Sequence, residues 1–205
     1  VKTTIEVFPT HAEFSVRTTG MPGIDTVAAC TGPVIAMVSP RGQEPQTLGT
    51  FNWAEVLRHE FTHTVTLSAT KNRISQWFTE GLATWEERTP LRWEWVPMLE
   101  QGVRENKLFP IDQLTWAFIR PKQPEDRQLA YAESRWICQY IIATRGSETI
   151  VKMLAAYRRG ENDARVFKDA LGISDVSFVS QLSEWARQRI GTWGYDQASS
   201  DKYDR

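Results

Sequence analysis

The sequence predicts an α+β fold, in which a small N-terminal β-sheet packs on a helix and a mainly α-helical subdomain follows. Strand-like apolar runs broken by glycine and proline occupy residues 1–50, whereas helical periodicity and helix caps recur from residue 51 onward. Because the sequence begins at a valine, we expect a fragment of a longer protein. We expect a single domain with four parts: a β-rich part (1–50), two central helices (51–90), a helical subdomain (91–192) and a polar tail (193–205).

The composition is that of a globular domain with an ample apolar core. Hydrophobic residues make up 41% of the 205 residues, and 24 Lys and Arg nearly balance 25 Asp and Glu. This balance leaves no basic surplus for a nucleic-acid partner, and no apolar run reaches the roughly 20 residues of a membrane span. Cys30 and Cys138 are too few for a disulfide framework, so their pairing and the compartment stay open.

The β-rich part predicts short strands and one short helix. Alternating apolar residues around Ile5 indicate a strand, a helix can begin at Ala12, and residues 27–29 indicate a second strand. We expect these strands to form a small sheet that packs on the first central helix, and a third strand is indicated by the apolar run after Pro33, which immediately precedes that helix. The members of this run are Val34, Ile35, Ala36, Met37 and Val38.

The most informative motif is His59-Glu60-Phe61-Thr62-His63, which has the H-E-x-x-H pattern. On a helix, histidines four residues apart lie on one face, so both imidazoles can reach a single metal ion. Glu60 is rotated by about 100° from His59, which places it beside a metal-activated water rather than on the metal. Asn52 as N-cap, with Glu55 three residues later, predicts the start of this helix. The alternative is a pair of core histidines satisfied by ordinary hydrogen bonds.

Catalytic zinc usually takes three protein ligands, and Glu80 is the candidate for the third. Sixteen residues separate it from His63, enough for a turn and an antiparallel second helix. The apolar neighbours of Glu80 indicate a buried helix, and a buried carboxylate needs a partner. Glu87, two turns further on the same face, is the candidate to hydrogen-bond a ligand histidine, and Thr84 is its rival. The alternative for Glu80 is an ordinary solvated glutamate.

The combination of H-E-F-T-H with the later segment W-F-T-E-G-L-A-T-W-E-E resembles the gluzincin metallopeptidases, specifically the peptidase-MA-like family. The resemblance covers roughly residues 50–190. It implies a zinc ion held by His59, His63 and Glu80, with Glu60 as the general base in peptide-bond hydrolysis. A peptide or protein would be the substrate, and other domains of the full-length protein would be further partners.

The same resemblance implies two features that contact substrate. In gluzincins an edge strand pairs with extended substrate beside the metal, and Val34–Val38 would take that role unless it is an ordinary edge strand. In aminopeptidase-like members a tyrosine at the start of a long helix stabilises the oxyanion, and Tyr131 lies in a similar order with Ser134 and Gly146. Ser134 replaces the family's common glycine, and a packing tyrosine is the alternative. Residues 32–37 lack the acidic residue of an aminopeptidase G-x-M-E-N-like segment, so we do not expect an aminopeptidase.

The remaining sequence predicts helices and completes the functional hypothesis. His11 connects to none of the motifs above, and we expect it at the surface. The residues together predict a zinc-dependent peptidase; the alternatives are a catalytically silent or gated zinc-bearing interaction domain and a hydrolase of another amide or ester. The helices are expected at 98–103, 112–118, 125–144, 147–160, 163–172 and 174–191.

Overall fold

The computed structural model describes residues 2–41 and 52–193 and confirms the α+β fold. The predicted N-terminal strands and C-terminal helices are present with end points shifted by a few residues. The polar tail from residue 194 lies outside the described residues. The elements are β1 (Thr4–Phe8), α1 (His11–Thr19), β2 (Ala28–Cys30), β3 (Val34–Val38), α2 (Trp53–Thr70), α3 (Gln76–Glu86), α4 (Trp95–Arg104), α5 (Ile111–Ile119), α6 (Asp126–Arg145), α7 (Ser147–Arg159), α8 (Asp163–Leu171) and α9 (Asp175–Trp193).

The prediction that Val34–Val38 is an edge strand is wrong. The sheet has the order β1-β3-β2, so β3 pairs on both sides, parallel with β1 and antiparallel with β2. The physical reason lies in the sequence of β3, whose consecutive apolar residues are buried on both faces of the sheet, as in a central strand. An edge strand with one solvated face would show alternating polar residues. Among residues 2–41 and 52–193, the two edges of the sheet are therefore β1 and β2.

The two faces of β3 pack on different helices. Phe14 of α1 is fully buried against Ala36 and Val38 on one face. Ile35 and Met37 alternate with them, so they point to the other face, where α2 packs. The β2 edge also contacts α2, because Cys30 Sγ lies 3.4 Å from Thr64 Oγ1. The sheet thus packs on the helix that carries the histidines, as the sequence predicts.

Helices α2 and α3 form an antiparallel hairpin. The side chain of Asn52 caps α2 by accepting hydrogen bonds from the backbone amides of Ala54 and Glu55. Lys71 and Asn72 end it in the left-handed region, with φ of 56° and 58°, which is the turn that the sequence predicts. The next helix then returns along α2 and brings its first and second turns beside the histidines.

Helix α3 is buried against α6 along almost its whole length. Trp77, Phe78 and Leu82 join the main apolar cluster, which also includes Ile137 and Ile141 of α6. This burial explains why the segment around Glu80 is apolar and keeps that carboxylate away from bulk water.

Gly81 marks the closest approach of these two helices. A Cβ atom at this position would come within 2.8 Å of Cys138 Sγ and even closer to the backbone carbonyl of Ser134. Only glycine therefore allows α6 to pack directly over the residue that follows Glu80. Cys138 is buried here and Cys30 lies on β2; both are free thiols.

No helix in the described part of the chain is long and apolar enough to cross a membrane.

Candidate metal centre

The two histidines of the H-E-x-x-H motif converge on one oxygen atom of Glu80. Nε2 of His59 lies 3.3 Å from Glu80 Oε2, and Nε2 of His63 lies 3.5 Å from the same atom. One ligand atom from each of the three residues lies within 4.8 Å of the other two. Two ligands of a tetrahedral zinc ion with bonds of about 2.0–2.2 Å are separated by about 3.3–3.6 Å. The three side chains therefore have the spacing of a zinc ligand set.

The Oε2 atom of Glu80 shows that this arrangement fits a cation. It is buried, and no hydrogen bond reaches it within the described residues; the two imidazole Nε2 atoms are polar neighbours at 3.3 and 3.5 Å. The other oxygen, Oε1, accepts a 2.6 Å hydrogen bond from Gln76 Nε2, which fixes the carboxylate. A buried carboxylate oxygen without a donor is costly unless a positive charge compensates it. A metal ion shared with the two histidines would provide that charge.

Glu87 orients the first histidine, as the sequence predicts. His59 Nδ1 lies 2.8 Å from Glu87 Oε1, and because a carboxylate only accepts, the Nδ1–H group donates. The proton on Nδ1 leaves Nε2 of the neutral imidazole with its lone pair directed at the candidate metal position. Glu87 is itself buried, and its Oε2 lies 3.5 Å from Arg92 Nη2.

Thr79 orients the second histidine, and sequence reasoning missed it. His63 Nδ1 lies 2.8 Å from Thr79 Oγ1, which is 2.7 Å from Thr66 Oγ1. Thr66 in turn donates to the backbone carbonyl of His63 at 3.2 Å. Because the last acceptor is a carbonyl, the direction of the chain is fixed: His63 donates to Thr79, and Thr79 donates to Thr66. His63 therefore also carries its proton on Nδ1 and leaves Nε2 free for a metal ion.

Thr84, the rival for the role of Glu87, donates its hydrogen bond elsewhere and not to a histidine. Its hydroxyl donates to the backbone carbonyl of Glu80, one turn earlier in the same helix, at 2.7 Å. A threonine inside a helix commonly donates a hydrogen bond to the backbone carbonyl of residue i−4, and this bond satisfies its hydroxyl within the helix. The role of histidine partner therefore belongs to Glu87 and not to Thr84.

The buried charges of the centre shift the pKa values of its residues. Burial alone would raise the pKa of Glu80, but the two neighbouring histidines lower it to about 2. Burial alone would lower the pKa of His59, but the carboxylates of Glu80 and Glu87 raise it to about 10. The two carboxylates thus favour the protonated form of His59, whereas a metal ion requires the neutral imidazole and would compete with that proton.

Glu60 lies beside the ligands with its carboxyl largely buried. Burial raises its pKa, while His59 and His63 act in the opposite direction. The backbone amide of Cys30, on the β2 edge, faces the Glu60 carboxylate and favours its charged form. A carboxylate with a raised pKa is a better proton acceptor near neutral pH than an ordinary surface glutamate.

A cavity of about 490 Å³ opens in front of His59 and Glu60. Tyr131 lines this cavity, so it lies on the same open side as the base, and its ring packs between Trp95 and Phe118. Burial raises the pKa of the Tyr131 phenol, so it stays protonated and able to donate. The other residues that line the cavity are His11, Ile24, Asp25, Thr26, Val27, Ala28, Glu55, Val56, Thr84, Glu87, Arg92, Trp95 and Gln128.

The expectation that His11 is a surface residue apart from the site is wrong. His11 is half-buried and lines the same cavity as His59 and Glu60, together with the segment Ile24–Ala28 that leads into β2. No sequence pattern indicates this position, because only the folding of the sheet brings α1 to the site. The strand edge beside the cavity is therefore β2, whereas Val34–Val38 is covered on both sides.

We expect Glu87→Ala to weaken zinc binding by about 10–100-fold, because the orientation and basicity of His59 depend on this carboxylate. Isothermal titration calorimetry against a competing chelator measures the change. Glu86→Ala is the matched control, since it removes a neighbouring glutamate whose side chain is 41% exposed. Thr84→Ala is expected to leave the affinity near the wild-type value. Equal losses for all three variants would contradict the specific role of Glu87.

Comparison with known families agrees with this geometry. A model of the Peptidase MA superfamily matches residues 42–187, more than two thirds of the chain, and the matched region contains His59, His63 and Glu80. No curated protein matches the chain. The chain therefore belongs to the Peptidase MA superfamily.

Proposed function

We propose that this protein is a zinc-dependent peptidase of the gluzincin type. The observation that carries the proposal is the convergence of His59 Nε2 and His63 Nε2 on the buried, otherwise unpaired oxygen of Glu80, at 3.3 and 3.5 Å. Zinc suits a set of two imidazoles and one carboxylate that leaves a further position open. Membership in the Peptidase MA superfamily supports the same reading.

Zinc bound by these residues would polarise the scissile carbonyl and lower the pKa of water toward about 7. Glu60 lines the cavity beside the ligands, where it would accept the proton of the attacking water and then deliver it to the leaving amine. Burial raises the pKa of Glu60, which suits a group that first accepts a proton from water and then donates it to the amine. Tyr131 lines the same cavity and would donate to the oxyanion that forms on the substrate carbonyl.

The residues that line the cavity favour an extended peptide as the substrate. One wall is formed by residues 24–28 and the start of β2, and the other by side chains of α2, α4 and α6 such as Glu55, Trp95 and Tyr131. Within the described residues β2 is an edge strand, which is the position where an extended chain can pair. Two of its backbone groups already have partners, since the Ala28 carbonyl accepts from Thr26 Oγ1 and the Cys30 amide faces Glu60. Aminopeptidase activity is not part of the proposal, because residues 32–37 carry no acidic residue for a free amino terminus and form β3 and the turn before it.

The experiment is a peptide-library cleavage assay on the purified, zinc-loaded protein, with peptides whose amino termini are free or acetylated. We expect internal cleavage of both sets, loss of cleavage with a chelator, and recovery when zinc is restored. Cleavage that persists in metal-free protein would contradict a zinc mechanism. A protein that binds zinc but cleaves no peptide would instead support the interaction-domain alternative.

A further inference from the structure

The wall of the cavity opposite the metal ligands is a segment without regular structure. Residues 24–27 belong to no helix or strand, yet each of them lines the cavity, and they lead directly into β2 at Ala28. Strand pairing holds the end of this segment, because the Val27 carbonyl accepts from the Val38 amide at 2.9 Å, and Ile24 and Val27 pack on the apolar cluster of Phe14. Two side chains of α1 add hydrogen bonds to the same segment.

His11 and Ser15 lie one turn apart on α1 and hold this segment together. His11 Nε2 donates to the backbone carbonyl of Thr26 at 2.9 Å. Ser15 Oγ accepts from the backbone amide of Ile24 at 3.4 Å and donates to the backbone carbonyl of His11 at 2.7 Å. We call this pair of residues, His11 and Ser15, the wall clamp.

Helix α1, which carries the wall clamp, is fixed by its N-terminal cap and by packing on the sheet. Thr10 and Glu13 cap the start of α1 reciprocally, which fixes His11 at the first helical position. Phe14, between the two clamp residues, is fully buried against β3, and its ring lies 6.0 Å from that of His11. Because α1 is fixed on the sheet, the wall clamp fixes residues 24–27 relative to the sheet as well.

Through Thr26, the wall clamp is also connected by hydrogen bonds to the outward edge of β2. Thr26, whose carbonyl His11 holds, donates through its own Oγ1 to the backbone carbonyl of Ala28 at 2.9 Å. Ala28 begins β2 and lines the cavity, and two residues later the amide of Cys30 faces the Glu60 carboxylate. A displacement of Thr26 would shift the strand edge against which a substrate would lie.

We propose that His11 is a positioning residue for the substrate-binding wall, an inference that rests on the proposed peptidase function. It acts through Thr26 and the segment 24–28 on an extended peptide lying along β2. It is not a catalytic residue, because its Nε2–H group is already donated to the Thr26 carbonyl and its Nδ1 faces Ser15 Oγ at 3.5 Å. Its loss should therefore weaken substrate binding and leave the metal centre intact.

The test compares His11→Ala, His11→Gln and Arg17→Ala in the zinc-loaded protein. We expect His11→Ala to raise KM about tenfold, with kcat and zinc content close to wild type, because one positioning hydrogen bond is lost. Glutamine can place an N–H group near the position of Nε2, so His11→Gln should restore most of the KM. Arg17→Ala is the matched control on α1, because Arg17 pairs with Glu6 at 3.0 Å away from the cavity.

Hydrogen exchange gives a readout that does not depend on peptidase activity. Backbone amides in residues 24–28 should exchange about tenfold faster in His11→Ala than in wild type and Arg17→Ala. Unchanged exchange there, or a loss of kcat and zinc with unchanged KM, would overturn the proposal. A wild-type protein that cleaves no peptide contradicts the peptidase function instead, and the exchange rates then decide whether His11 holds the wall.

Discussion

Replacement of Glu60 by glutamine should lower peptide turnover by about 10²–10⁴-fold and leave zinc bound, because the variant removes the proton acceptor and no metal ligand. The substitution is nearly isosteric, so the buried space beside His59 and His63 stays filled. The carboxamide cannot take a proton from water, whereas the carboxylate, with its pKa raised by burial, can. Steady-state kcat and the metal content of the same preparations are the quantities to measure.

Glu100→Gln is a matched control for this experiment. Glu100 lies on α4 and pairs at the surface with Arg104, away from the cavity, so its replacement should leave kcat unchanged. Full turnover in Glu60→Gln would contradict its role as the base. Loss of zinc from that variant would mean that Glu60 holds the metal ion, which also contradicts the proposed mechanism.

Tyr131→Phe should fold normally, bind zinc and lose about 10²–10³-fold in turnover, the usual cost of removing one oxyanion donor. Its ring packs parallel to Trp95, with centroids 6.5 Å apart, and edge-on to Phe118 at 4.8 Å. Phenylalanine keeps both ring contacts, so the effect of the change is confined to the hydroxyl. The measurement is kcat together with thermal unfolding of the variant.

Tyr140→Phe provides the matched control for the tyrosine experiment. Tyr140 also lies on α6, but its hydroxyl donates to Gln181 Oε1 at 3.5 Å, outside the residues that line the cavity. We expect this variant to retain full turnover. If Tyr131→Phe retains it as well, Tyr131 is only a packing residue and the oxyanion has no phenolic donor.

Local sequence patterns were enough to predict which three side chains converge at the candidate metal centre. The spacing of His59 and His63 fixes them on one helix face, and the apolar neighbours of Glu80 indicate that this carboxylate is buried. The contact between Glu87 and His59 followed from helical periodicity alone, because residues 80 and 87 lie two turns apart on one face. Each of these inferences depends on helix geometry, which is set by residues close in sequence.

Contacts between residues of different helices and strands could not be predicted from the sequence. Thr79 looked like an ordinary helix residue, and its hydrogen bond with His63 exists only because α3 returns along α2 in one register. His11 reaches the cavity because the order of the strands carries α1 and residues 24–28 to that side. Strand order also explains the error on Val34–Val38: chain proximity to α2 suggested an edge, whereas its unbroken apolar sequence is typical of a central strand.

The metal content of the purified protein tests the central claim most directly. We expect about one zinc ion per chain in wild type, measured by inductively coupled plasma mass spectrometry, and none in the double variant His59→Ala/His63→Ala. Circular dichroism of the double variant would show whether the helices are retained. Stoichiometric zinc in a folded double variant would contradict the assignment of His59, His63 and Glu80 as the ligands.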